Sequence, residues 1–210
     1  ERQGMREFCP GVLMVWDMNR VVFIDIKNGT LEYLREFGQR NVQNVIPGAQ
    51  GEVYIVTYKN TESGEDSALD KSPVYKIKLV SDKVKADEKK EKIDYTKVSS
   101  VEVKEKALDY PISMVEIKSE NGEDGYLLVS LRRRDSVIGY DLENLSEKFI
   151  ADVTAEWIQN VLQLSDGRVV VSSLKDRSIK IYPSDFNTSK PKTIYIPENY
   201  VGADIKEVSS

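Results

Sequence analysis

Short apolar runs alternate with polar turns along the chain, at a spacing that predicts β-strands throughout. Four runs start at a glycine and continue into an apolar strand: Gly11-Val-Leu-Met-Val-Trp, Gly51-Glu-Val-Tyr-Ile-Val, Gly125-Tyr-Leu-Leu-Val-Ser and Gly167-Arg-Val-Val-Val-Ser. The glycines are separated by 40, 74 and 42 residues. The long interval contains two polar insertions, at 59–72 and 81–97, and removing them restores a regular repeat.

Each repeat contains four predicted strands. An apolar stretch precedes the glycine strand, and a third and a more polar fourth strand follow it after turn residues such as Asn28-Gly29. Four antiparallel strands in about 42 residues are typical of a β-propeller blade. The sequence therefore predicts an all-β fold with about four propeller blades in a single domain, 1–210. A large β-sandwich or barrel is the alternative fold.

The blade count sets a second expectation. Propellers have four to eight blades, so four is the lowest number that closes a ring. The chain is expected to be either a small propeller or a segment of a larger one that another chain or segment completes.

Composition supports the strand prediction and excludes several kinds of site. Valine and isoleucine together number 40 against 7 alanines, a bias that favours strands over helices. The net charge is −5, there is no histidine, and Cys9 is the single cysteine. These counts exclude histidine-based catalytic pairs, histidine metal ligands and cysteine zinc clusters. We therefore predict no catalytic residues, no metal and no cofactor.

Two segments resemble blades of the WD-repeat family. Val21–Phe37 is similar to the third and fourth strands of such a blade, with Asp25 in the place of the family's aspartate, and Tyr140-Asp141 stands where Trp-Asp would be. The family's Gly-His pair is absent, so its His-Asp hydrogen-bond network cannot form. The resemblance implies that the loops joining second to third strands share one face with the loops between blades.

The loops expected on that face carry basic residues, which we call the basic rim: Arg20, Arg132, Arg133, Arg134, Lys175 and Arg177. Two aromatic residues, Tyr110 and Trp157, precede first strands near the same face. Arginine beside exposed aromatic rings is the composition of a binding hot spot, and we predict that these eight residues bind a partner. The alternatives are solvated hairpin tips for the cations and packing between blades for the rings.

The predicted function is a non-catalytic scaffold that binds other proteins, including proteins with acidic surfaces, through its loop faces. One alternative is a reader of anions, phosphate or nucleic acid through the basic rim. Another is a propeller hydrolase that uses carboxylates. With one thiol, no signal sequence and no apolar run of about 20 residues, the expected location is the cytoplasm or nucleus. A secreted protein whose signal was removed is the alternative location.

Overall fold

A computed structural model describes residues 4–27, 29–36, 40–48, 52–59, 74–79, 98–103, 111–118, 125–131, 135–153, 155–186 and 191–197. In these ranges the protein is all-β, with four antiparallel sheets of four strands each and no helix. Each sheet is one of the predicted repeats, and we number them blades 1 to 4 in chain order.

The strands of each blade follow one another along the chain and pair with their sequence neighbours. Blades 1 and 2 contain β1 (Gly4–Cys9), β2 (Val12–Asp17), β3 (Arg20–Asp25), β4 (Thr30–Glu36), β5 (Arg40–Pro47), β6 (Glu52–Lys59), β7 (Val74–Leu79) and β8 (Val98–Val103). Blades 3 and 4 contain β9 (Pro111–Ile117), β10 (Tyr126–Leu131), β11 (Ser136–Asp141), β12 (Glu147–Asp152), β13 (Ile158–Gln163), β14 (Val169–Ser173), β15 (Ser178–Tyr182) and β16 (Lys192–Tyr195). Every predicted strand is present, with ends that differ by at most two or three residues.

The chain divides into two compact units. Unit 1 holds blades 1 and 2, and unit 2 holds blades 3 and 4. The core of unit 1 is formed by facing side chains of its two sheets: Met14, Trp16, Val21, Phe23, Val42, Val45, Val53, Ile55, Tyr75 and Ile77. Phe8 packs against this core and meets Phe23 edge to face, with the ring centroids 5.1 Å apart.

Unit 2 has a core of the same kind between blades 3 and 4. It contains Ile117, Leu128, Val137, Val153, Ala155, Ile158, Val161, Val169, Val171, Tyr182 and Phe186. The side chain of Gln163 adds a polar tie between the blades. Its Oε1 accepts from the Lys118 backbone N–H at 2.9 Å, and its Nε2 donates to the Lys118 carbonyl at 3.0 Å. One glutamine side chain thus pairs with both backbone groups of a residue in the neighbouring blade.

The number of residues between a side chain and the repeat glycine indicates which neighbouring blade the side chain faces. Met14 and Trp16, three and five residues after Gly11, face the following blade in unit 1. Val53 and Ile55, two and four residues after Gly51, face the preceding blade. Unit 2 repeats the rule with Leu128 on blade 3 and with Val169 and Val171 on blade 4. Alternation of side chains along a strand therefore gives every blade one forward and one backward face.

Three blades share an irregularity that the sequence pattern did not predict. The first strand of blades 2, 3 and 4 is bulged near its start, so that Gln43, Ile112 and Gln159 have no partner in the pairing with the second strand. In blades 3 and 4, a serine of the second strand accepts a hydrogen bond from the backbone N–H that follows the unpaired residue of the first strand. Asn160 N donates to Ser172 Oγ at 3.2 Å in blade 4, and Ser113 N donates to Ser130 Oγ at 3.1 Å in blade 3.

The two aspartates that carry the WD-repeat resemblance have a common local role. Asp25 Oδ1 accepts from the Lys27 N–H at 2.9 Å, and Asp141 Oδ1 accepts from the N–H groups of Glu143 and Asn144 at 2.9 and 3.1 Å. Each aspartate therefore closes the turn after a third strand, without needing histidine. The pKa of Asp141 lies below its usual value, chiefly because of the hydrogen bond from the Asn144 backbone.

The two predicted insertions lie outside the described residues, except for Lys59, which ends β6. The prediction of a single domain, 1–210, is not tested by the described residues and stays a prediction. In the part of the chain that the structure describes, no helix is long and apolar enough to cross a membrane.

Candidate active site

A cluster of charged side chains lies at the loop end of unit 2. Asp135 directly precedes β11, and Glu156 lies shortly before β13. Lys175 and Asp176 belong to the β14–β15 hairpin, and Lys180 follows within β15. We call these five residues the loop cluster. Lys180 is a strand residue, and the other four come from the two kinds of loop that the WD-repeat resemblance implies to share one face.

Glu156 is held in place by the end of β14 and the hairpin beyond it. Its carbonyl oxygen accepts from Ser173 Oγ and from the Lys175 backbone N–H, the latter at 3.3 Å. Its carboxylate forms an ion pair with the ammonium group of Lys175. The Leu174 N–H donates to the carbonyl of Trp157 at 3.1 Å, so both residues of this loop are bound to the hairpin of their own blade.

Lys180 is the buried cation of the cluster, with 7% of the residue exposed. Its Nζ donates to the Val153 carbonyl at 3.4 Å and lies 3.7 Å from Asp176 Oδ2. Tyr182 donates to the same carbonyl at 2.8 Å. Since alternate residues of β15 share a face, Ser178, Lys180 and Tyr182 all point toward blade 3, and Ser178 Oγ donates to Asp176 Oδ2 at 3.0 Å. The buried charge is therefore paired and hydrogen-bonded, as burial requires.

The charges of the loop cluster shift the pKa values of Asp135 and Lys175. Asp135 is exposed, but the slight desolvation of its carboxyl group, followed by the negative charges of Glu156 and Asp176, raises its pKa above the ordinary value. The two lysines oppose this rise. The hydrogen bond and charge of Glu156 raise the pKa of Lys175, so this lysine stays protonated at neutral pH. The cluster therefore combines a carboxyl group that holds its proton more tightly than usual with cations beside it.

Two buried polar atoms in this region have no hydrogen-bond partner among the described residues: Ser136 Oγ, directly after Asp135, and Asp176 Oδ1. Most buried polar groups in folded proteins are satisfied. An unsatisfied one costs about 1–3 kcal/mol, so its presence calls for a reason.

The backbone at this end of blade 4 is also strained. Trp157 has φ +59° and Arg177 has φ +48°, in the left-handed region that bulky residues rarely occupy. Trp157 is 48% exposed, so it is not a ring buried between blades. Strained non-glycine residues are concentrated at functional sites, where the surrounding structure holds them in place.

The structure brings together three of the eight predicted binding residues: Trp157, Lys175 and Arg177, all in blade 4. Arg20 lies in unit 1, where its guanidinium forms two hydrogen bonds with Asp17, at 3.1 and 2.6 Å. Arg132–Arg134 and Tyr110 lie outside the described residues. The binding role of all eight residues stays a prediction.

Sequence reasoning missed the acidic half of the site. Asp135 and Asp176 lie directly beside residues of the basic rim, and Glu156 directly precedes Trp157. The signal was available, since acidic and basic residues alternate in Lys175-Asp176-Arg177. Lys180 offered no signal, because a lysine in an amphipathic strand is normally exposed.

In the described ranges, no group of three or more acidic or cysteine side chains has an arrangement that could hold a metal ion. Desolvation and then the negative charges of Glu156 and Asp176 raise the pKa of Asp135. The chemistry that this cluster supports is proton transfer and charge stabilisation.

Comparison with known proteins finds no matching family and no matching curated protein. The chain is similar in structure to a streptogramin B lyase, with a TM-score of 0.63 and 15% identity over 94% of this chain and 55% of that one. It is similar to a catalytically inactive histidine-to-alanine variant of virginiamycin B lyase from Staphylococcus aureus, solved with quinupristin (TM-score 0.61, 11% identity, 94% of this chain and 56% of that one). It is also similar to a luciferin-regenerating enzyme (TM-score 0.56, 15% identity, 90% and 60%). The chain therefore spans little more than half the length of these proteins.

These similarities correct two predictions. The protein was expected to be a non-catalytic scaffold and not an enzyme, and both predictions are wrong, because the structures that share its fold are enzymes. The physical reason for the error is that carboxylates and lysines can transfer protons and stabilise charge without forming a recognisable motif in the sequence, because only the fold brings them together. The predicted fold class is confirmed: the protein is an all-β chain of the β-propeller class, built from four-stranded antiparallel blades.

Proposed function

We propose that this chain is part of a propeller enzyme that cleaves its substrate by carboxylate acid–base chemistry, as a lyase or hydrolase. The observation that carries the proposal is the raised pKa of Asp135 beside two further carboxylates and two lysines at the loop end of unit 2. Perturbed acidic groups that lie among loops on a rigid sheet are characteristic of catalytic sites.

The roles follow from the charges. Asp135 is the proton-transfer group, because a carboxyl group with a raised pKa is a stronger base when ionised and keeps a proton to a higher pH when neutral. Lys175 stays protonated and is exposed, so it can stabilise negative charge that develops on a substrate oxygen. Trp157 offers an exposed ring beside these groups, against which an apolar part of the substrate can pack.

The absence of histidine narrows the choice of proton-transfer group. A histidine-to-alanine change inactivates the virginiamycin B lyase that shares this fold, whereas these 210 residues contain no histidine. If the chain performs proton transfer with its own side chains, the group must be of another type. Asp135 is the described carboxyl group whose pKa is raised by desolvation and neighbouring negative charges.

The test is turnover measured by mass spectrometry, with quinupristin and a series of nitrophenyl esters as substrates. A lyase breaks its bond by removing a proton on carbon while the leaving group departs, so the products together have the mass of the substrate. A hydrolase adds the mass of one water. We expect Asp135→Asn to reduce kcat by about 100-fold or more, the usual contribution of a general acid or base.

Asp166→Asn is the matched control. Asp166 is an exposed aspartate in the β13–β14 hairpin of the same unit, ion-paired with Arg168 at 2.6 Å, and it lies outside the loop cluster. Turnover that survives Asp135→Asn unchanged would contradict the proposal. So would complete lack of turnover with all of these substrates in a folded sample.

Three narrower points belong to the same proposal. The WD-repeat relationship stays a proposal that the turn-closing Asp25 and Asp141 support. A cytoplasmic or nuclear location stays a proposal that the free thiol of Cys9 supports. Binding of nucleic acid or an acidic protein by the basic rim gains no support, since Arg20 and Lys175 are paired with carboxylates.

A further inference from the structure

The backbone of Asp135 is held by a buried residue of its own blade. The Val153 N–H donates to the Asp135 carbonyl at 2.7 Å, which extends the pairing of β11 with β12 by one residue. Val153 is 1% exposed and belongs to the unit 2 core, whereas Asp135 is exposed. The exposed carboxyl group of the candidate site therefore stands on a backbone whose position depends on a residue of the core.

The carbonyl oxygen of Val153 accepts hydrogen bonds from two side chains of blade 4. Tyr182 Oη donates to it at 2.8 Å, and Lys180 Nζ donates to it at 3.4 Å. A carbonyl oxygen has two lone pairs, so these two donors use its whole capacity. Through its N–H and its C=O, Val153 therefore connects β15 of blade 4 to the backbone of Asp135.

Tyr182 is the better fixed of the two donors, and its hydrogen bond is the shorter one. The residue is 4% exposed, and its ring packs against that of Phe186 in the unit 2 core, with the ring centroids 4.5 Å apart. Burial raises the pKa of its hydroxyl to about 12. The hydroxyl therefore remains a donor throughout the pH range in which a carboxyl group titrates.

Packing alone does not require polar side chains at this position of the blade. The third residue of β11 in blade 3 is Ile138, which is 5% exposed, whereas the third residue of β15 in blade 4 is Lys180. In blade 4 the chain instead buries an ammonium group and the Tyr182 hydroxyl, and both donate to one carbonyl. Buried polar groups cost free energy unless they are hydrogen-bonded, and here the compensating bonds fix the Val153 backbone.

We propose that Tyr182 is a positioning residue that holds Asp135 in the loop cluster through the backbone of Val153. This inference rests on the proposed function, because the position of Asp135 affects turnover only if that residue transfers the proton. Glu156 and Asp176 are hydrogen-bonded to the β14–β15 end of blade 4. Tyr182 lies in the same blade, so its hydrogen bond sets the position of Asp135 relative to these two carboxylates.

Tyr182→Phe isolates this positioning effect. It removes the hydroxyl, keeps the ring and changes no charge at neutral pH, so a change in the ionisation of Asp135 must come from geometry. We expect the pKa of Asp135 to fall toward its ordinary value, because a less tightly held carboxyl group is better solvated and moves away from Glu156 and Asp176.

The experiment is NMR spectroscopy of the unaltered chain and of Tyr182→Phe, without substrate. The pKa of Asp135 is read from the pH dependence of its side-chain carboxyl carbon resonance, which is assigned by its loss in Asp135→Asn. Amide hydrogen exchange of Val153 reports the hydrogen bond to the Asp135 carbonyl. In Tyr182→Phe we expect this exchange to become about tenfold faster, together with the lower pKa of Asp135.

Tyr126→Phe is the matched control. Tyr126 packs against the same core, where its ring meets that of Phe149 edge to face with the centroids 5.2 Å apart. It is the first residue of β10, at the opposite end of that strand from the loop cluster. Removal of its hydroxyl should leave both the pKa of Asp135 and the exchange of Val153 unaltered.

Turnover is measured separately on the same variants. A displacement of about 1 Å in a reacting group can cost about 100-fold in rate, so we expect Tyr182→Phe to lower kcat by about tenfold or more, with a smaller change in KM. If Asp135→Asn retains full turnover while Tyr182→Phe lowers the pKa of Asp135, the positioning role stands and the proposed function fails.

An unchanged pKa of Asp135 in Tyr182→Phe overturns the proposal, even if exchange of Val153 becomes faster, because Tyr182 then only stabilises the core. An equal fall of this pKa in Tyr126→Phe also overturns it. Circular dichroism checks that each variant has the strand content of the unaltered chain. If Tyr182→Phe is only partly folded, the measurements are made in sucrose, which stabilises the compact state, and the native resonances report the folded molecules alone.

Discussion

Arg177 allows the backbone strain in the candidate site to be measured directly. It lies in the β14–β15 hairpin with φ +48°, and its side chain is exposed. Substitution by alanine and by glycine removes the same guanidinium, so the two variants differ only in the backbone freedom of residue 177. Their difference in unfolding free energy therefore reports the left-handed conformation.

The magnitude follows from two opposing contributions. A left-handed backbone costs a residue with a Cβ about 1–2 kcal/mol, and glycine avoids this cost. Glycine loses about 0.5–1 kcal/mol relative to alanine at ordinary positions, because it has more conformational freedom to lose on folding. At Arg177 we expect the glycine variant to be the more stable of the two, by roughly 0.5–1 kcal/mol.

Arg168 supplies the reference pair of variants. It is an exposed arginine of the same unit that does not have positive φ, so its glycine variant should be the less stable one, by about 0.5–1 kcal/mol. Subtracting the two differences cancels the intrinsic effect of glycine and leaves about 1–2 kcal/mol for the strain at Arg177. In thermal unfolding, each 1 kcal/mol corresponds to about 2–4 °C in a chain of this length.

The assay must follow unit 2, because two compact units need not unfold in one transition. Trp157 lies in unit 2 and Trp16 in unit 1, so a Trp16→Phe background leaves a single indole that reports unit 2. Urea unfolding then gives the free energies. If glycine is less stable than alanine at residue 177 by the same amount as at residue 168, the left-handed conformation is refuted.

Three further predictions concern the loop cluster and its surroundings. Lys180→Met removes a cation that lowers the pKa of Asp135, so the acidic limb of the pH–rate profile should move to higher pH; an unchanged limb would contradict the coupling. Ser173→Ala removes the hydroxyl that donates to the Glu156 carbonyl in the loop before β13, so acrylamide should quench Trp157 fluorescence more strongly. Ser172→Ala is the control and should leave the quenching unaltered. Burial, and secondarily a nearby aspartate, raises the pKa of Tyr182 from 10.0 to about 12. The stability that its neutral form contributes is complete below pH 10 and is lost as the pH rises toward 12, and Tyr182→Phe should flatten this loss in alkaline unfolding experiments.

The strands could be predicted because one local pattern repeats. Gly11, Gly51, Gly125 and Gly167 each precede a short run of mostly apolar residues, which is typical of a strand buried on both faces, and successive side chains along it point to opposite sides of the sheet. The forward and backward faces follow from the same count along the chain. Strand ends were less predictable, since the turn residues allow shifts of one or two positions.

The bulges could not be predicted from that pattern. A bulge at Gln43, Ile112 and Gln159 changes the pairing by one residue, and no single side chain type marks it. The loop cluster was also out of reach, because the ionisation of Asp135 depends on Glu156 and Asp176, which lie 21 and 41 residues further along the chain. Only the folded arrangement brings these charges together.

Several destabilising features lie together at the loop end of unit 2. Among the described residues, two of the three unsatisfied buried polar atoms are there, at Ser136 and Asp176. Two of the four non-glycine residues with positive φ are there as well, Trp157 and Arg177. Unsatisfied atoms cost about 1–3 kcal/mol each and left-handed residues about 1–2 kcal/mol each, which is a large part of the 5–15 kcal/mol that typically stabilises a domain.

Among its described residues, the rest of the same unit has no unsatisfied buried side-chain atom, although Leu145 and Phe186 also have positive φ. Its blades pack through an apolar core, and the Gln163 amide satisfies both backbone groups of Lys118. Proteins keep locally unfavourable arrangements where function requires them and compensate elsewhere in the fold. The raised pKa of Asp135 occurs at the same end of unit 2 as the unsatisfied atoms of Ser136 and Asp176, so these two features together identify that end as the candidate active site. The positive φ of Trp157 and Arg177 adds backbone strain there.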